Sequence, residues 1–293
     1  MRTVQTVAAV RAALAPARRE ERLIGLVPTM GAFHAGHVSL MRRAREECDV
    51  VVVSLFVNPT QFNESSDLAA YPRDEARDAR IADEAGVDYL FAPPVQEVYA
   101  DGFATTVSVA GITETLEGAH RGRSHFDGVT TVVTKLFNIV SPDVAYFGQK
   151  DAQQVAVIRR LVRDLDIPVR IEVCPTVRDP DGLALSSRNA HLSAEERTRA
   201  TGLGRALHAA QHAVAGGERD PGSVTAIARA ELTRVDVEPE YLAFVSAHTM
   251  APVTRVDGDT LAVVAARVGA TRLIDNQLLS TIVTGSTDEE ERT

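Results

Sequence analysis

The sequence predicts an α/β fold, a doubly wound parallel sheet followed by a smaller α+β domain, on three observations. Apolar runs rich in β-branched residues alternate with amphipathic helical stretches over roughly the first 175 residues. The conspicuous polar residues fall just after those runs, where open α/β sheets hold ligands. Past about residue 176 the alternation gives way to two long Ala-rich helical patterns and then strand-like runs.

Val4, Val7, Val10, Ala13 and Leu14 recur at helical spacing and predict a helix over 4–14. The run Leu23–Val27 reads as the first strand; it breaks at Pro28-Thr29-Met30-Gly31 and meets His34-Ala35-Gly36-His37 on the first turn of a helix reaching about Glu47. Val50–Val57 is a strand covered on both faces. Strand, helix and strand within about 35 residues make a right-handed βαβ unit with parallel strands. The pattern repeats: a charged helix at about 72–86 before Asp88–Phe91, a helix at about 128–140 before Val144–Phe147, and a helix at about 151–164 before Val169–Val173. Residues 1–175 are thus expected to form a Rossmann-like domain. Asp179-Pro180-Asp181-Gly182 reads as a turn and a hinge. The second domain, 176–283, is expected to hold helices at about 193–215 and 221–235, broken at Gly216-Gly217, and strands at Glu240–Val245 and Thr260–Arg267. The polar, acidic stretch 284–293 reads as a disordered tail.

A chain of 293 residues, 45% apolar and 24% charged, can bury a substantial core. Its 31 Lys plus Arg against 40 Asp plus Glu give a net charge of −9, which repels phosphodiester backbones and argues against a nucleic-acid partner. Cys48 and Cys174 lie far apart without metal-ligand spacing, so neither a disulfide nor a metal site is expected of them. The opening Met-Arg-Thr-Val-Gln-Thr-Val lacks a signal-peptide core, and no apolar run approaches the ~18 residues that span a membrane. A cytoplasmic protein, with no membrane partner, is expected.

His34 and His37 lie three positions apart on one helix face, where free backbone N–H groups and the helix dipole attract phosphate. Gly36 between them is read as room for close approach of a ligand to the backbone. With 8 His and 19 Gly in the chain, a chance HxGH is expected roughly 0.01 times per sequence. Three further loops follow strands at the same end of the sheet: Asn58-Pro59-Thr60-Gln61-Phe62, Gly148-Gln149-Lys150-Asp151 and Pro175-Thr176-Val177-Arg178. Each alone is an ordinary polar loop; together they are hard to explain by packing. Lys150 and Arg188, with the imidazoles, supply donors for charge that develops on phosphate oxygens.

Together, PTMGAFHAGH, VNPTQF, YPR, FGQKDAQQ and LALSSRN make the chain, over roughly residues 3–280, resemble the pantothenate synthetase family. HxGH is shared with class I aminoacyl-tRNA synthetases and several nucleotidyltransferases; the other motifs narrow the resemblance to this family. It implies condensation of pantoate with β-alanine, with ATP as co-substrate and magnesium, through a pantoyl adenylate, giving pantothenate, AMP and pyrophosphate. By the same resemblance His37, His34, Lys150 and Arg188 are catalytic, with His37 a proton donor toward the phosphates. ATP is held by Met30, Gly31, Ala32, Phe33, His34, Ala35, Gly36 and His37. Gly148, Gln149, Lys150, Asp151, Val177, Leu185, Ser186, Ser187 and Arg188 complete that site. Gln61 and Gln154 take pantoate, whose hydroxyls suit amides that both donate and accept, and Gln61 also serves β-alanine. The second domain is expected to act as a lid, and the resemblance implies a homodimer.

The chain departs from the family pattern at Gln149, where Glu is usual, at Ala152, where an aromatic is common, and at Glu117–Phe126. That last run is one residue longer than EGxxRPGHF and lacks its Pro, leaving open whether Arg121 or Arg123 takes the substrate side. Asp78 is a candidate magnesium ligand, though a solvated helix carboxylate is the plainer reading. A nucleotidyltransferase for another acid and a non-catalytic ATP-binding regulator are the competing readings.

Overall fold

In the computed structural model, which describes residues 1–63 and 65–280, six parallel strands form one sheet. They are β1 (Arg2–Val4), β2 (Ile24–Thr29), β3 (Val50–Leu55), β4 (Tyr89–Phe91), β5 (Val144–Gly148) and β6 (Arg170–Cys174), in the order β1-β4-β3-β2-β5-β6. β2 pairs with β3 from Ile24–Val50 to Thr29–Leu55 and with β5 at Gly25–Val144 and Leu26–Ala145. After β2 the chain builds outward through β3 and β4, then returns to lay β5 on the other side. That reversal opens the ligand crevice beyond the carboxyl ends of β2 and β5.

Strand alternation divides the core. Val50 and Val52 join Leu14, Leu26, Phe137 and Ile158 in one apolar cluster, fed by α1 (Val7–Arg19), α7 (Arg123–Val140) and α8 (Ala152–Asp164). Val51 and Val53 join Val27, Met41 and Ala82 in another, fed by α2 (Ala35–Glu47) and α4 (Glu75–Glu84). A sheet covered on both faces is what the unbroken valine run requires. Cys48 and Cys174 are buried free thiols within the second cluster.

Several boundaries differ from the sequence reading. Val4 belongs to β1, an edge strand beside β4, and the first helix begins at Val7 because the Thr6 hydroxyl accepts the Ala9 N–H at 3.1 Å. Three short helices were unforeseen: α3 (Ser65–Ala70), α5 (Val95–Val98) and α6 (Glu117–Arg121). α7 starts at Arg123 rather than about 128.

The chain divides into two units, the first comprising Met1–Pro180 and Ala184–Ala190, the second Asp181–Leu183 and the chain from His191. The expected division at 175/176 is therefore corrected: Val177 and Leu185–Arg188 belong to the first unit. An antiparallel return accounts for this, since Leu185 N–H donates to the Val177 carbonyl at 3.0 Å and Arg178 bridges Ala184. The chain crosses between units three times, so Asp179–Gly182 is not a single linker. The second unit packs α9 (Ala194–Ala215) and α10 (Pro221–Thr233) through Ala200, Ala206, Ala210 and Ala228 onto an antiparallel sheet β7-β8-β9. Its strands are β7 (Pro239–Ser246), β8 (Thr260–Val268) and the unforeseen β9 (Thr271–Leu278). The stretch 284–293 read as a disordered tail lies outside the described residues.

Candidate active site

The loop after β2 turns back through two left-handed residues, Gly31 at φ +91° and Ala32 at φ +54°. A non-glycine residue held there costs of order 1–3 kcal/mol unless its surroundings fix it, and Asp78 of α4 does so. Its two carboxylate oxygens accept the N–H groups of Ala32 and Phe33, both at 2.8 Å, and the side chain is 1% exposed. Phe33 is buried beneath the loop, and Arg77 donates to its carbonyl at 3.2 Å. Gly31 has no substitute, because a Cβ would lie 2.6 Å from Leu55 Cδ1 and 2.9 Å from Asp78 Oδ2. Against the expectation that Asp78 holds magnesium stands this second role: both of its oxygens accept backbone N–H groups in a buried setting.

The clamped loop delivers His34 as the cap of α2. Its Nδ1 accepts the Gly36 N–H at 3.1 Å, and His37 Nδ1 accepts the His34 N–H at 3.3 Å, a reciprocal cap made by two imidazoles. A nitrogen that accepts carries no proton, so each neutral ring bears its proton on Nε2. The rings are 4.2 Å apart between centroids. Desolvation lowers both pKa values; His37, pushed further by the His34 charge and by Lys150, falls to about 3. At neutral pH the pair therefore presents two Nε2–H donors and no positive charge. Gly36 serves a different purpose from the expected one. A Cβ there would meet the His34 ring at 2.9 Å, so the glycine makes room for the imidazole.

Across the crevice, Gly148 ends β5 and Gln149–Asp151 form a 3-10 turn leading into α8. Lys150 Nζ lies 3.6 Å from Asp151 Oδ1 and acts electrostatically on both histidines. Asp151 keeps half its side-chain surface exposed. Crowding by protein atoms raises its carboxyl, but the Lys150, Arg121 and Arg188 cations outweigh this and hold it below the usual range. Arg188, exposed on the returning segment, is lowered by desolvation and then by the Arg121 cation. Tyr71, edge-on against Phe62, is raised by burial and is acted on by the Arg188 cation, which opposes the rise. The crevice thus gathers Lys150, Arg121 and Arg188 around Asp151, with Glu117 paired to Arg121, a cation-rich lining suited to a polyanion.

Gln61 sits on the other side of the loop, in the turn after β3. Its Nε2 donates to Met30 Sδ at 3.1 Å and its Oε1 accepts from Asn58 Nδ2 at 3.0 Å. Asn58 is 1% exposed, and its Oδ1 accepts from Thr60 and Tyr99 hydroxyls, both at 2.9 Å. That bonding fixes which end of the Gln61 amide donates. The turn lies against α7, where Gly128 would place a Cβ 2.5 Å from the Thr60 carbonyl oxygen. His125, one turn earlier on α7, meets the Gln61 carbonyl through Nδ1 at 2.8 Å and must donate there, leaving Nε2 as an acceptor. Burial, aided by Arg121, lowers its pKa to about 4. Asn58, Tyr71 and His125 were not among the expected site residues, although VNPTQF, YPR and the run ending at Phe126 contain them. Gln154 is half-buried on the first turn of α8, beside the fully buried Gln153. Gln153 is structural, its Oε1 accepting the Glu117 N–H at 2.9 Å and its Nε2 donating to the Ile112 and Thr115 carbonyls.

Arg121 and Arg123 take different partners. Arg123 bonds Ser108 and lies 3.8 Å from Asp127, away from the crevice, whereas Arg121 pairs with Glu117 at 3.1 Å and acts on Asp151, Arg188 and His125. Two polar atoms of the returning segment are orphaned: Thr176 Oγ1 and Asn189 Oδ1 are buried without a hydrogen-bond partner. They flank Val177 and Leu185–Arg188 in the sequence.

The sequence model for pantoate-beta-alanine ligase matches residues 2–278. The chain belongs to the pantoate–β-alanine ligase family. The pantothenate synthetase of Moorella thermoacetica is 52% identical over 280 residues, covering 95% of this chain and 99% of that one. Among solved structures, the Thermus thermophilus pantothenate synthetase is 48% identical, with a TM-score of 0.89 over 96% of this chain and 100% of that one. The Francisella tularensis pantoate-beta-alanine ligase, solved with beta-gamma ATP and beta-alanine, is 34% identical, with a TM-score of 0.78 over 95% and 97%. The doubly wound sheet and the smaller α+β unit are thus the fold of this ligase family.

The pKa shifts give a pH dependence of stability. His37 and His125 are held neutral in the folded chain, with values of about 3 and about 4, while unfolded histidine titrates near 6.5. As pH falls below about 6.5 the unfolded state takes up protons that the folded state refuses, so stability falls with it. The urea midpoint at pH 5 is expected below that at pH 7, with the slope reduced in His125→Gln. An unchanged midpoint between those values would contradict the neutral assignment.

Proposed function

We propose that this chain condenses pantoate with β-alanine at the expense of ATP, releasing AMP and pyrophosphate. The observation that carries this reading is the imidazole pair, locked by backbone bonds at Nδ1 and presenting two neutral Nε2–H donors across the β2/β5 crevice from Lys150. Charge in the first step accumulates on phosphate oxygens as a pantoate carboxylate oxygen bonds the α-phosphorus and pyrophosphate departs. Donors fixed in advance favour that transition state over the ground state. His34 and His37 act as hydrogen-bond donors rather than acids, since neither is charged before ATP arrives. Lys150 and Arg188 balance the triphosphate, and Met30–His37, Gly148–Asp151, Val177 and Leu185–Arg188 surround the nucleotide. In the second step the β-alanine nitrogen, having lost a proton, bonds the acyl carbon and AMP leaves.

Gln61, its donating end fixed by Asn58, takes a pantoate hydroxyl together with Gln154, and Gln61 also meets β-alanine. Gly128→Ala tests this placement without touching the nucleotide side. Pushing the turn aside by about an ångström is expected to raise the KM for pantoate roughly tenfold or more, with the KM for ATP within about twofold. Equal rises in both would remove Gln61 from the pantoate site.

Magnesium enters with ATP. Among the described residues no three His, Cys, Asp or Glu side chains gather, and Asp78 is committed, so the protein contributes no dedicated cage and the ion rides on the phosphates. The protein acts as a homodimer in the cytoplasm. The family resemblance supports the dimer, and no helix among the described residues is long and apolar enough to cross a membrane.

The test is product analysis with purified protein. AMP and pyrophosphate are expected only when pantoate and β-alanine are both supplied. ADP and phosphate, or equal turnover with an unrelated acid, would overturn the reading.

A further inference from the structure

His208 and His212 have no part in the proposed reaction. They lie one turn apart on α9, at i and i+4, both exposed, so their side chains share one face. Their Nε2 atoms are 2.8 Å apart, with ring centroids 4.3 Å apart and planes inclined at 78°. On a wet surface this contact competes with water for both partners.

The separation has a second meaning. Metal–imidazole bonds of about 2.0–2.1 Å set two nitrogens about 2.8–3.0 Å apart at a right-angle bite and about 3.3–3.4 Å apart at a tetrahedral one. The observed distance matches the right angle, the geometry preferred by tetragonal Cu2+ or Ni2+. The helix beneath is rigid, with Ala206, Leu207, Ala210 and Val214 fully buried, so little order remains to be imposed. Neighbouring side chains stay clear. Arg205 turns back to the Thr201 hydroxyl at 2.8 Å, and Gln211 is bonded at both ends to the Ser280 backbone.

We propose that His208 and His212 form a two-imidazole site for a divalent cation of tetragonal preference, Cu2+ or Ni2+, with water in the remaining positions. No third protein ligand joins them among the described residues, so the ion is exchangeable rather than resident.

The experiment is Cu2+ titration of the full chain, followed by calorimetry and by electron paramagnetic resonance, on the wild type, His208→Gln, His212→Gln and His34→Gln. The wild type is expected to show one site with two coordinated nitrogens. Linking two ligands on one scaffold strengthens binding by about 10²–10⁴ over either alone, so each α9 variant should bind about 100-fold more weakly. His34→Gln should retain the site, which separates it from the other imidazole pair. Unchanged affinity in both α9 variants, weakening in only one of them, or a single-nitrogen spectrum would overturn the proposal.

Discussion

Replacing His37 with alanine is expected to slow pantoate-dependent adenylation by about 10²–10³-fold, the effect of removing one preorganised donor from a developing oxyanion. The same change removes the acceptor for the His34 N–H, which weakens the α2 cap by about 1 kcal/mol. The two losses separate in measurement: the cap appears in the melting temperature and the donor in kcat. His37→Gln keeps an amide N–H near the position of Nε2 and should recover part of kcat. Since the imidazole is neutral above about pH 3, the ratio of wild-type to variant kcat should be flat from about pH 6 to pH 9. A ratio that rose on acidification would mean the imidazolium is the active form.

Asp78→Ala is expected to have the largest effect on stability in the crevice. It strips the acceptor from two N–H groups, those of Ala32 and Phe33, which hold a left-handed residue in place. Each buried donor left unsatisfied costs about 1–3 kcal/mol, so a loss of about 3–5 kcal/mol is expected, a large share of the roughly 5–15 kcal/mol that stabilises a typical domain. The measurement is a urea denaturation curve beside an activity assay at increasing magnesium. If Asp78 only anchors the loop, stability falls and excess magnesium restores nothing. A variant of wild-type stability whose activity returned at high magnesium would reinstate Asp78 as a metal ligand.

The parallel core was legible because burial on both faces leaves a plain mark, the unbroken valines of 50–53, and because turn and cap residues punctuate it. HAGH was legible for the same reason: a cap, a glycine and two imidazoles at one helix start are a local matter. β9 was hidden because it carries Arg272, Asp275, Asn276 and Gln277, two of them buried, so its alternation does not read as apolar and polar. The two-residue connection Gly269-Ala270, with Gly269 at φ +58°, was the available signal, a tight hairpin turn with glycine first. The roles of Asp78 and Gly36 could not be read locally. One depends on a helix more than forty residues away meeting a strained loop, the other on which way an imidazole folds over its own backbone. The unit boundary was missed because Leu185–Arg188 is tied back to Val177 by an antiparallel return, which the Asp-Pro-Asp-Gly turn marks only as a change of direction.

The most direct test of the account follows the oxygen atoms of the acid. With pantoate labelled with 18O in both carboxylate positions, attack on the α-phosphorus and later expulsion of AMP should leave one labelled oxygen in each AMP formed. AMP free of label, with the heavy oxygen recovered in inorganic phosphate or pyrophosphate, would contradict activation of the acid at the histidine pair.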